Sequence, residues 1–390
     1  MNRIFGKLLL LPILLVAGPL SYAQKIEMVD GVRIIHNEKD GAWGKTPAVR
    51  MDLIRTLGGV EPKDPNLAFG APCDVVVDSR GNIYILDQRN TRIQKLSPEG
   101  MFLMSMGRQG QGPGDFQSPS SMDIDDADTL YVFDFMNKRT QVMTSEGKAE
   151  RGIKLYSLSA DKIRLLKSGE IVMAGGGLVH LREVMQSRKN LPHLLTILNS
   201  KGKTQKSFGE MKNYGDANVT AHANWITLDV DEEDNTCVAF RHQNRVEKYS
   251  ADGALQWRAD RVLNYGTDVI DKGYIHQDHK GIGIQMPTLN TVSDGIAADE
   301  RGRIWVITLN RQMTQEETGS EVVAGGRRRL VEPVIQKIDI YKLEVFGPDG
   351  ILLSELPLNH VAHGIRIWGD YLFLWELNTA TVYQYRIREN

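Results

Sequence analysis

Residues 72–87 read PCDVVVDSRGNIYILD, and residues 119–134 read PSSMDIDDADTLYVFD, the same pattern displaced by 47 positions. The match continues without a gap as far as Gly147. Identical pairs at this offset include Pro72/Pro119, Asp78/Asp125, Tyr84/Tyr131, Asp87/Asp134, Asn90/Asn137, Arg92/Arg139, Gln94/Gln141 and Gly100/Gly147. So many identities at one fixed spacing indicate an internal structural repeat.

Each repeat unit is predicted to contain four short β-strands. The first, residues 75–77, is apolar throughout, which is typical of a strand buried on both faces. A turn that contains Gly81 leads to a second strand at residues 83–86, and further strands follow at 92–96 and 101–106. Four strands in a repeat of this length predict one blade of a β-propeller.

Weaker copies extend the pattern to the end of the chain. They cover residues 162–208, 226–253 and 295–353, and residues 365–387 supply three strands of a last unit. Residues 50–59 have the character of an outer strand, so we expect Met51–Leu57 to pair with residues 382–387. The predicted fold is all-β: a six-bladed β-propeller with four antiparallel strands per blade, whose last blade is completed by an N-terminal strand. Such closure hides the strand edges that an open sheet would expose.

The residues before the propeller predict export. Arg3 and Lys7 accompany an apolar run at residues 8–17 that is too short for a permanent membrane span. Small residues at 21–23 then predict a signal peptide, residues 1–23, cleaved before Gln24 in a periplasmic or secreted protein. A retained N-terminal anchor is the alternative. Residues 24–49 form an extension and residues 50–390 the propeller, so removing 24–45 should be harmless, whereas removing 24–58 should open the ring.

The composition excludes several classes of protein. With 47 Lys and Arg against 49 Asp and Glu, the formal net charge of -2 provides no field for binding nucleic acid. Two cysteines cannot form a disulfide scaffold. After the N-terminal run, no stretch approaches the ~20 apolar residues of a membrane span.

The connections between the units resemble those of a known family. Residues 107–116 read GRQGQGPGDF and, with residues 87–93 and 134–140, are similar to the inter-blade signature of NHL-repeat propellers. The chain resembles the exported bacterial six-bladed propellers related to NHL repeats. This resemblance implies the fold over nearly the whole mature chain. It implies no single function, because the fold hosts binding proteins, lyases and lactonases alike.

Two groups within this family suggest a metal-dependent enzyme. Peptide-amidating lyases hold zinc on channel-facing histidines of different blades, and His222 and His363 are compatible with such positions, with His180, His242 or His276 as a third ligand. Lactonase-type propellers hold calcium with Glu, Asn and Asp, which Asp294, Asn224 and Glu376 could imitate. Spacing alone does not make a metal site, so ordinary surface and loop histidines are the simpler interpretation.

Departures from the repeat predict the binding surface. Long loops interrupt the third unit at residues 175–190 and the fifth at 311–337, and blade four replaces the repeated Asp by Phe240-Arg241-His242. Long loops on a rigid scaffold are where function concentrates. We therefore expect a scaffold that binds a protein, peptide or glycan through one face, with a metal-dependent lyase or lactonase-like enzyme as the alternative. The candidate binding residues are His222, Asn224, Arg241, His242, Asp294, Arg311, Arg327, His363 and Glu376.

Overall fold

Six blades of four antiparallel strands form a closed ring within the part of the chain that the structure describes; five are four-stranded sheets, and the fourth blade belongs to a six-stranded sheet. The structure is a computed structural model that describes residues 24–155, 160–187, 190–278, 281–314, 316–317, 320–323, 327–330 and 339–390. The innermost strand of each sheet contacts the innermost strands of both neighbouring sheets, and the sixth contacts the first. The predicted signal peptide, residues 1–23, lies outside the described residues.

The strands follow the predicted units. Three strands precede the first complete blade: β1 (Lys25–Val29), β2 (Val32–His36) and β3 (Val49–Gly58). Blade one comprises β4 (Pro72–Val77), β5 (Ile83–Asp87), β6 (Arg92–Leu96) and β7 (Phe102–Met106). Blade two comprises β8 (Pro119–Ile124), β9 (Leu130–Asp134), β10 (Arg139–Met143) and β11 (Ala149–Lys154). Blade three comprises β12 (Lys162–Leu165), β13 (Ile171–Ala174), β14 (His193–Leu198) and β15 (Thr204–Glu210), with helix α1 (Leu178–Gln186) between β13 and β14.

The second half of the ring carries further insertions. Helix α2 (Ala217–Ala223) precedes blade four, which comprises β16 (Ile226–Val230), β17 (Thr236–Phe240), β18 (Val246–Tyr249) and β19 (Leu255–Asp260). A hairpin of β20 (Tyr274–Asp278) and β21 (Gly281–Gln285) follows. Blade five comprises β22 (Ser293–Ala298), β23 (Ile304–Leu309), β26 (Tyr341–Phe346) and β27 (Leu352–Pro357), and it is interrupted by the hairpin of β24 (Ser320–Val323) and β25 (Arg327–Leu330). Blade six comprises β28 (Gly364–Trp368), β29 (Tyr371–Glu376), β30 (Thr381–Glu389) and β3.

The N-terminal strand closes the ring as predicted. β3 pairs antiparallel with β30, with Met51 opposite Ile387 and Leu57 opposite Val382. Leu57 is buried between blades six and one, but a bulge turns Leu53 outward, where it is 53% exposed. Closure therefore depends on the backbone ladder and on buried residues such as Val49 and Leu57, and not on Leu53.

The N-terminal extension is part of the packed structure. Strand β2 adds to the outer edge of blade four, in parallel with β19. Ile35 on β2 is fully buried in one cluster with Trp257 and Phe346. Asn37 then donates to the carbonyl of Gly350 at 3.0 Å and accepts from the amide of Leu352 at 2.7 Å, which ties blade four to blade five. The expectation that residues 24–45 can be removed without loss therefore no longer holds.

The repeated Asp residues brace the inter-blade loops. Asp87 accepts hydrogen bonds from the amides of Gly70 and Ala71 and pairs with Arg92 at 3.2 Å. Asp134 has the same role toward the amides of residues 117 and 118. Arg139 departs from its counterpart Arg92, because its guanidinium donates to three carbonyl oxygens of the glycine-rich loop, those of Gln111, Gly112 and Asp115. The repeated polar residues are thus structural.

Helices α1 and α2 and the hairpins β20–β21 and β24–β25 interrupt the blade pattern, and all four lie on one face of the ring. We define the upper face as the end at which the inner strands begin. Connections from the second to the third strand of a blade, and from its outer strand to the next inner strand, lie at this end. Helices α1 and α2 and the two extra hairpins occupy such connections in blades three to five. The upper face of these blades is therefore built up relative to the rest. No helix of the described residues is long and apolar enough to cross a membrane.

Candidate functional site

A buried ionic cluster crosses the centre of the ring; we call it the channel floor. Its members come from the inner strands of five blades, and they are Asp74, Asp123, Arg164, Asp229 and Arg366. Arg164 Nε lies 2.9 Å from Asp229 Oδ1, and its Nη1 lies 3.2 Å from Asp74 Oδ2. Arg366 reaches Asp229 at 2.8 Å and Asp123 at 2.5 Å. The amide of Ala298 on β22 donates to Asp229 Oδ2 at 3.0 Å, so all six inner strands contribute.

In the channel floor, neighbouring positive charges oppose the effect of burial on the pKa of a carboxyl group. Burial alone would raise the pKa of Asp74, but Arg164, Lys162 and Arg366 hold it at about 2. Below the floor lies a cavity of about 280 Å³ whose acidic lining residues are largely paired: Asp231 with Lys248, and Asp299 with Arg303. The floor thus separates the lower end of the channel from the upper end.

Above the floor lies the upper mouth, where side chains from blades three to six meet. Asp161 Oδ2 accepts a hydrogen bond from the indole of Trp225 at 3.0 Å. The guanidinium of Arg241 lies 5.1 Å from the centre of that indole. Lys162 Nζ donates to the carbonyls of Cys73 at 3.2 Å and Ser120 at 3.5 Å, at the upper ends of three neighbouring inner strands. These contacts fix one wall of the mouth.

Asp294 continues the wall on the other side of Arg241. Its Oδ1 lies 2.8 Å from Arg241 Nη1, and its Oδ2 accepts from the hydroxyl of Tyr341 at 3.1 Å. The same carboxylate is within electrostatic reach of His242 and His363. Four of the predicted site residues, Arg241, His242, Asp294 and His363, therefore do converge.

Burial shifts the pKa values of ionisable side chains in the mouth. It raises the pKa of Asp161 to about 6, against the opposing charge of Lys162 and the bond from Trp225. It lowers the pKa of His242 to about 4, and it also lowers that of His363. The histidines of the mouth are therefore neutral at pH 7.

Two histidines on the packed helices α1 and α2 have ring nitrogens without a partner among the described residues. His222 donates from Nδ1 to the carbonyl of Asn218 at 2.8 Å, and its buried Nε2 is unpaired. His180 is buried with Nδ1 unpaired, and burial lowers its pKa to about 4. His222 borders the mouth, because a Cβ placed on Gly177 would lie 3.5 Å from both His222 and Trp225.

Two of the predicted binding residues have structural roles. Asn224 is fully buried, and its amide is saturated by Lys212, Thr220 and Gln243, so it braces the α2 loop and is not available to a ligand. Arg311 clamps the base of the blade-five insertion through Glu317 and Asp339, each at 2.7 Å.

The remaining candidates lie at the edge of the site or on the insertions. Glu376 lines a separate cavity of about 220 Å³ with Tyr341 and His360, and burial raises its pKa. Arg327 opens β25, and His276 lies on β20.

In the described part of the chain, the predicted metal ligands are not grouped as a metal site. Among the residues that the structure describes, no three His, Cys, Asp or Glu side chains are grouped so as to hold an ion. Asn224, one of the calcium candidates, is saturated, and the guanidinium of Arg241 lies against Asp294. A cation beside that guanidinium would be repelled. Asn224 and Asp294 are therefore already engaged by protein groups, and the zinc and calcium hypotheses stay predictions.

Sequence reasoning missed three important parts of the site. Asp161 and Trp225 precede inner strands at positions comparable to His363, and this position could have indicated them. The channel floor carried only a weak signal: Asp123, Arg164 and Asp229 are each the second-to-last residue of an inner strand, but which charges meet is set only when the ring closes.

Comparisons with known proteins agree with this architecture. Residues 71–146 match the DUF5128 family, described as a 6-bladed beta-propeller. A DUF4221 family member from Bacteroides vulgatus superposes with a TM-score of 0.54 at 10% identity, over 89% of this chain and 100% of that one. The chain is a six-bladed β-propeller.

Other solved structures share this propeller. A Bacteroides fragilis protein named as exported gives a TM-score of 0.56 at 10% identity, over 92% of this chain and 99% of that one. A protein of unknown function from Bacteroides thetaiotaomicron gives 0.51 at 14% identity, over 92% and 80%. At such identities the likeness shows the propeller fold alone. A search of curated proteins finds no match.

Proposed function

We propose that this propeller is an exported binding protein that holds its ligand in the upper mouth. The observation that carries the proposal is a set of buried polar atoms that no described residue satisfies, among them Asp161 Oδ1 and His222 Nε2. Buried polar groups in folded proteins almost always have a partner, so the unpaired atoms of Asp161 and His222 at the mouth require an explanation. A bound ligand supplies the missing partners.

The shape of the ring also favours the upper end of the channel as the binding site. The insertions of blades three to five rise on the upper face, whereas the channel floor closes the channel beneath it. Sites in rigid scaffolds are commonly concave and lined by a few fixed polar groups. Export is supported by the predicted signal peptide and places the ligand in the periplasm or outside the cell.

The test compares the intact protein with a variant of the mouth on peptide and glycan arrays. Arg241→Gln removes the charge that Asp294 holds, and Arg388→Gln, a change of the same kind on the half-exposed outer part of β30, serves as the control. We expect binding to one array to be lost in Arg241→Gln and kept in Arg388→Gln, with both variants folded by circular dichroism. Binding that is equal in the two variants would place the site elsewhere.

A third variant tests the blade-five insertion. Replacing residues 318–338 by a short Gly-Ser linker keeps the clamp of Arg311 on Glu317 and Asp339, which holds the two ends of the insertion together. We expect this variant to bind more weakly than the intact protein. Unchanged binding would exclude the insertion from the ligand contact.

A further inference from the structure

The mouth leaves several hydrogen-bond acceptors open. A carbonyl oxygen can only accept, so His222 must donate from Nδ1 to Asn218, and His242 must donate from Nδ1 to Asn290 at 3.0 Å. Because both rings are neutral at pH 7, Nε2 of each carries a lone pair. Asp161 adds a third acceptor, since its Oδ1 is unpaired while Oδ2 receives the Trp225 indole.

The mouth also offers donors. The hydrogen bond from the amide of Leu377 to His363 Nδ1, at 3.2 Å, leaves the proton of that ring on Nε2. Arg241 contacts Asp294 through Nη1 and has further N–H groups. A ligand must therefore donate to several acceptors and accept from a few donors within one small region.

The charges of the mouth oppose a charged ligand. Arg241 is paired with Asp294, and Lys162 lies within electrostatic reach of Asp161. An anion would meet Asp161 and Asp294, and a cation would meet Arg241 and Lys162. Each would be repelled by charges of its own sign at short range.

We infer that the ligand is a neutral saccharide. Its hydroxyl groups donate and accept at the same time, which matches the mixture of open acceptors and donors, and it carries no charge. This inference rests on the proposed function, since it names the class of ligand for the same mouth. A peptide, whose termini and side chains are often charged, is the competing class.

The experiment uses residues 24–390 on a glycan array that displays neutral, uronic-acid, sulfated and amino oligosaccharides, beside a peptide array. Isothermal titration calorimetry then measures the affinity for the best-bound oligosaccharide. Asp161→Asn keeps an oxygen for the Trp225 indole but presents an N–H where the free acceptor was. We expect neutral oligosaccharides to bind, and Asp161→Asn to weaken them about tenfold or more, as when a buried donor is left without an acceptor.

Two further variants complete the design. His222→Phe deletes a second acceptor and is expected to weaken binding in the same direction. Asp126→Asn makes the same chemical change as Asp161→Asn at an exposed turn on the lower face, and it should leave the affinity unchanged.

The outcomes separate the two proposals. Preferential binding of charged oligosaccharides or of peptides that is lost in Arg241→Gln would overturn the saccharide inference and keep the proposed function. An affinity unchanged by both Asp161→Asn and His222→Phe would also overturn the inference. No Arg241-dependent binding on either array would overturn both proposals.

Discussion

Asp229 is the residue on which the channel floor depends most. One of its oxygens receives both Arg164 and Arg366, and the other receives the amide of Ala298. Asp229→Ala leaves two buried guanidinium groups without this partner, and removing one partner of a buried ion pair costs about 3–5 kcal/mol. We expect a loss of that order in the free energy of unfolding, measured by urea denaturation.

The control for this prediction is Glu232→Ala. Glu232 pairs with Lys167 at 3.1 Å at the surface, with a side chain that is 66% exposed. Such exposed pairs contribute at most about 1 kcal/mol. Equal losses for the two variants would mean that the floor is no more stabilising than a surface pair.

His180 and His242 make stability depend on pH. Burial lowers both pKa values from 6.5 to about 4, so the unfolded chain binds protons more readily than the folded protein between these limits. The stability associated with these neutral histidines is therefore fully present above pH 6.5, and the free energy of unfolding decreases as the pH falls toward 4. We expect His180→Leu to lessen the decline in melting temperature between pH 7 and pH 4.5.

The variant is compared with the wild type because other groups also titrate in this range. Asp161, with a raised pKa, acts in the opposite direction and is present in both proteins. His193→Leu, on an exposed histidine of β14, is the matched control and should leave the pH profile unchanged. A His180→Leu profile parallel to that of the wild type would show that His180 is not held neutral by burial.

Among the elements, the N-terminal hairpin of β1 and β2 is the clearest addition to the repeat. Deleting residues 24–43 removes the fully buried Ile35 and both hydrogen bonds of Asn37. Burial of one such side chain contributes roughly 1.5–3 kcal/mol. We expect the melting temperature to fall by several degrees in differential scanning calorimetry.

A shorter deletion, residues 24–30, removes β1 alone and is the control. The apolar residues of β1 are largely exposed, with Ile26, Met28 and Val29 facing solvent. This deletion should therefore change the melting temperature little. If neither deletion changes the melting temperature, the hairpin does not stabilise blade four.

The blades could be predicted from the sequence, whereas the hairpin could not. Blades one and two repeat without a gap, so turn residues such as Gly81 and inner strands such as Val75–Val77 could be located by comparison. The hairpin occurs once, and Ile35 in isolation does not differ from an exposed residue of an extension. Only its packing on Trp257 shows that it belongs to the core.

The whole ring depends on the pairing of β3 with β30. Deleting residues 24–58 removes β3, exposes the edge of β30 and takes away the buried Leu57. An unpaired strand edge promotes association between molecules. We expect this deletion to elute as aggregates in size-exclusion chromatography, whereas the deletion of residues 24–43 elutes as the intact protein does. Identical elution profiles would contradict closure by β3.

The candidate site was only partly predictable at this scale. Arg241, His242 and His363 could be named because each departs from the repeat or precedes an inner strand. The floor could not, because Asp74, Asp229 and Arg366 are separated by more than a hundred residues and become neighbours only when the ring closes. Burial, which sets the protonation of Asp161, is likewise a property of the assembled ring.

The closing ladder also imposes an order in time. A ribosome makes β3 more than three hundred residues before β30, its partner in blade six. During this interval β3 has no partner, although the early blades can already pair locally. Contacts between residues so distant in sequence form slowly and leave partly folded chains exposed. A factor that shields β3 until synthesis ends would therefore raise the yield of folded protein, and a circular permutant that begins at β4 and ends with β3 would have less need of it.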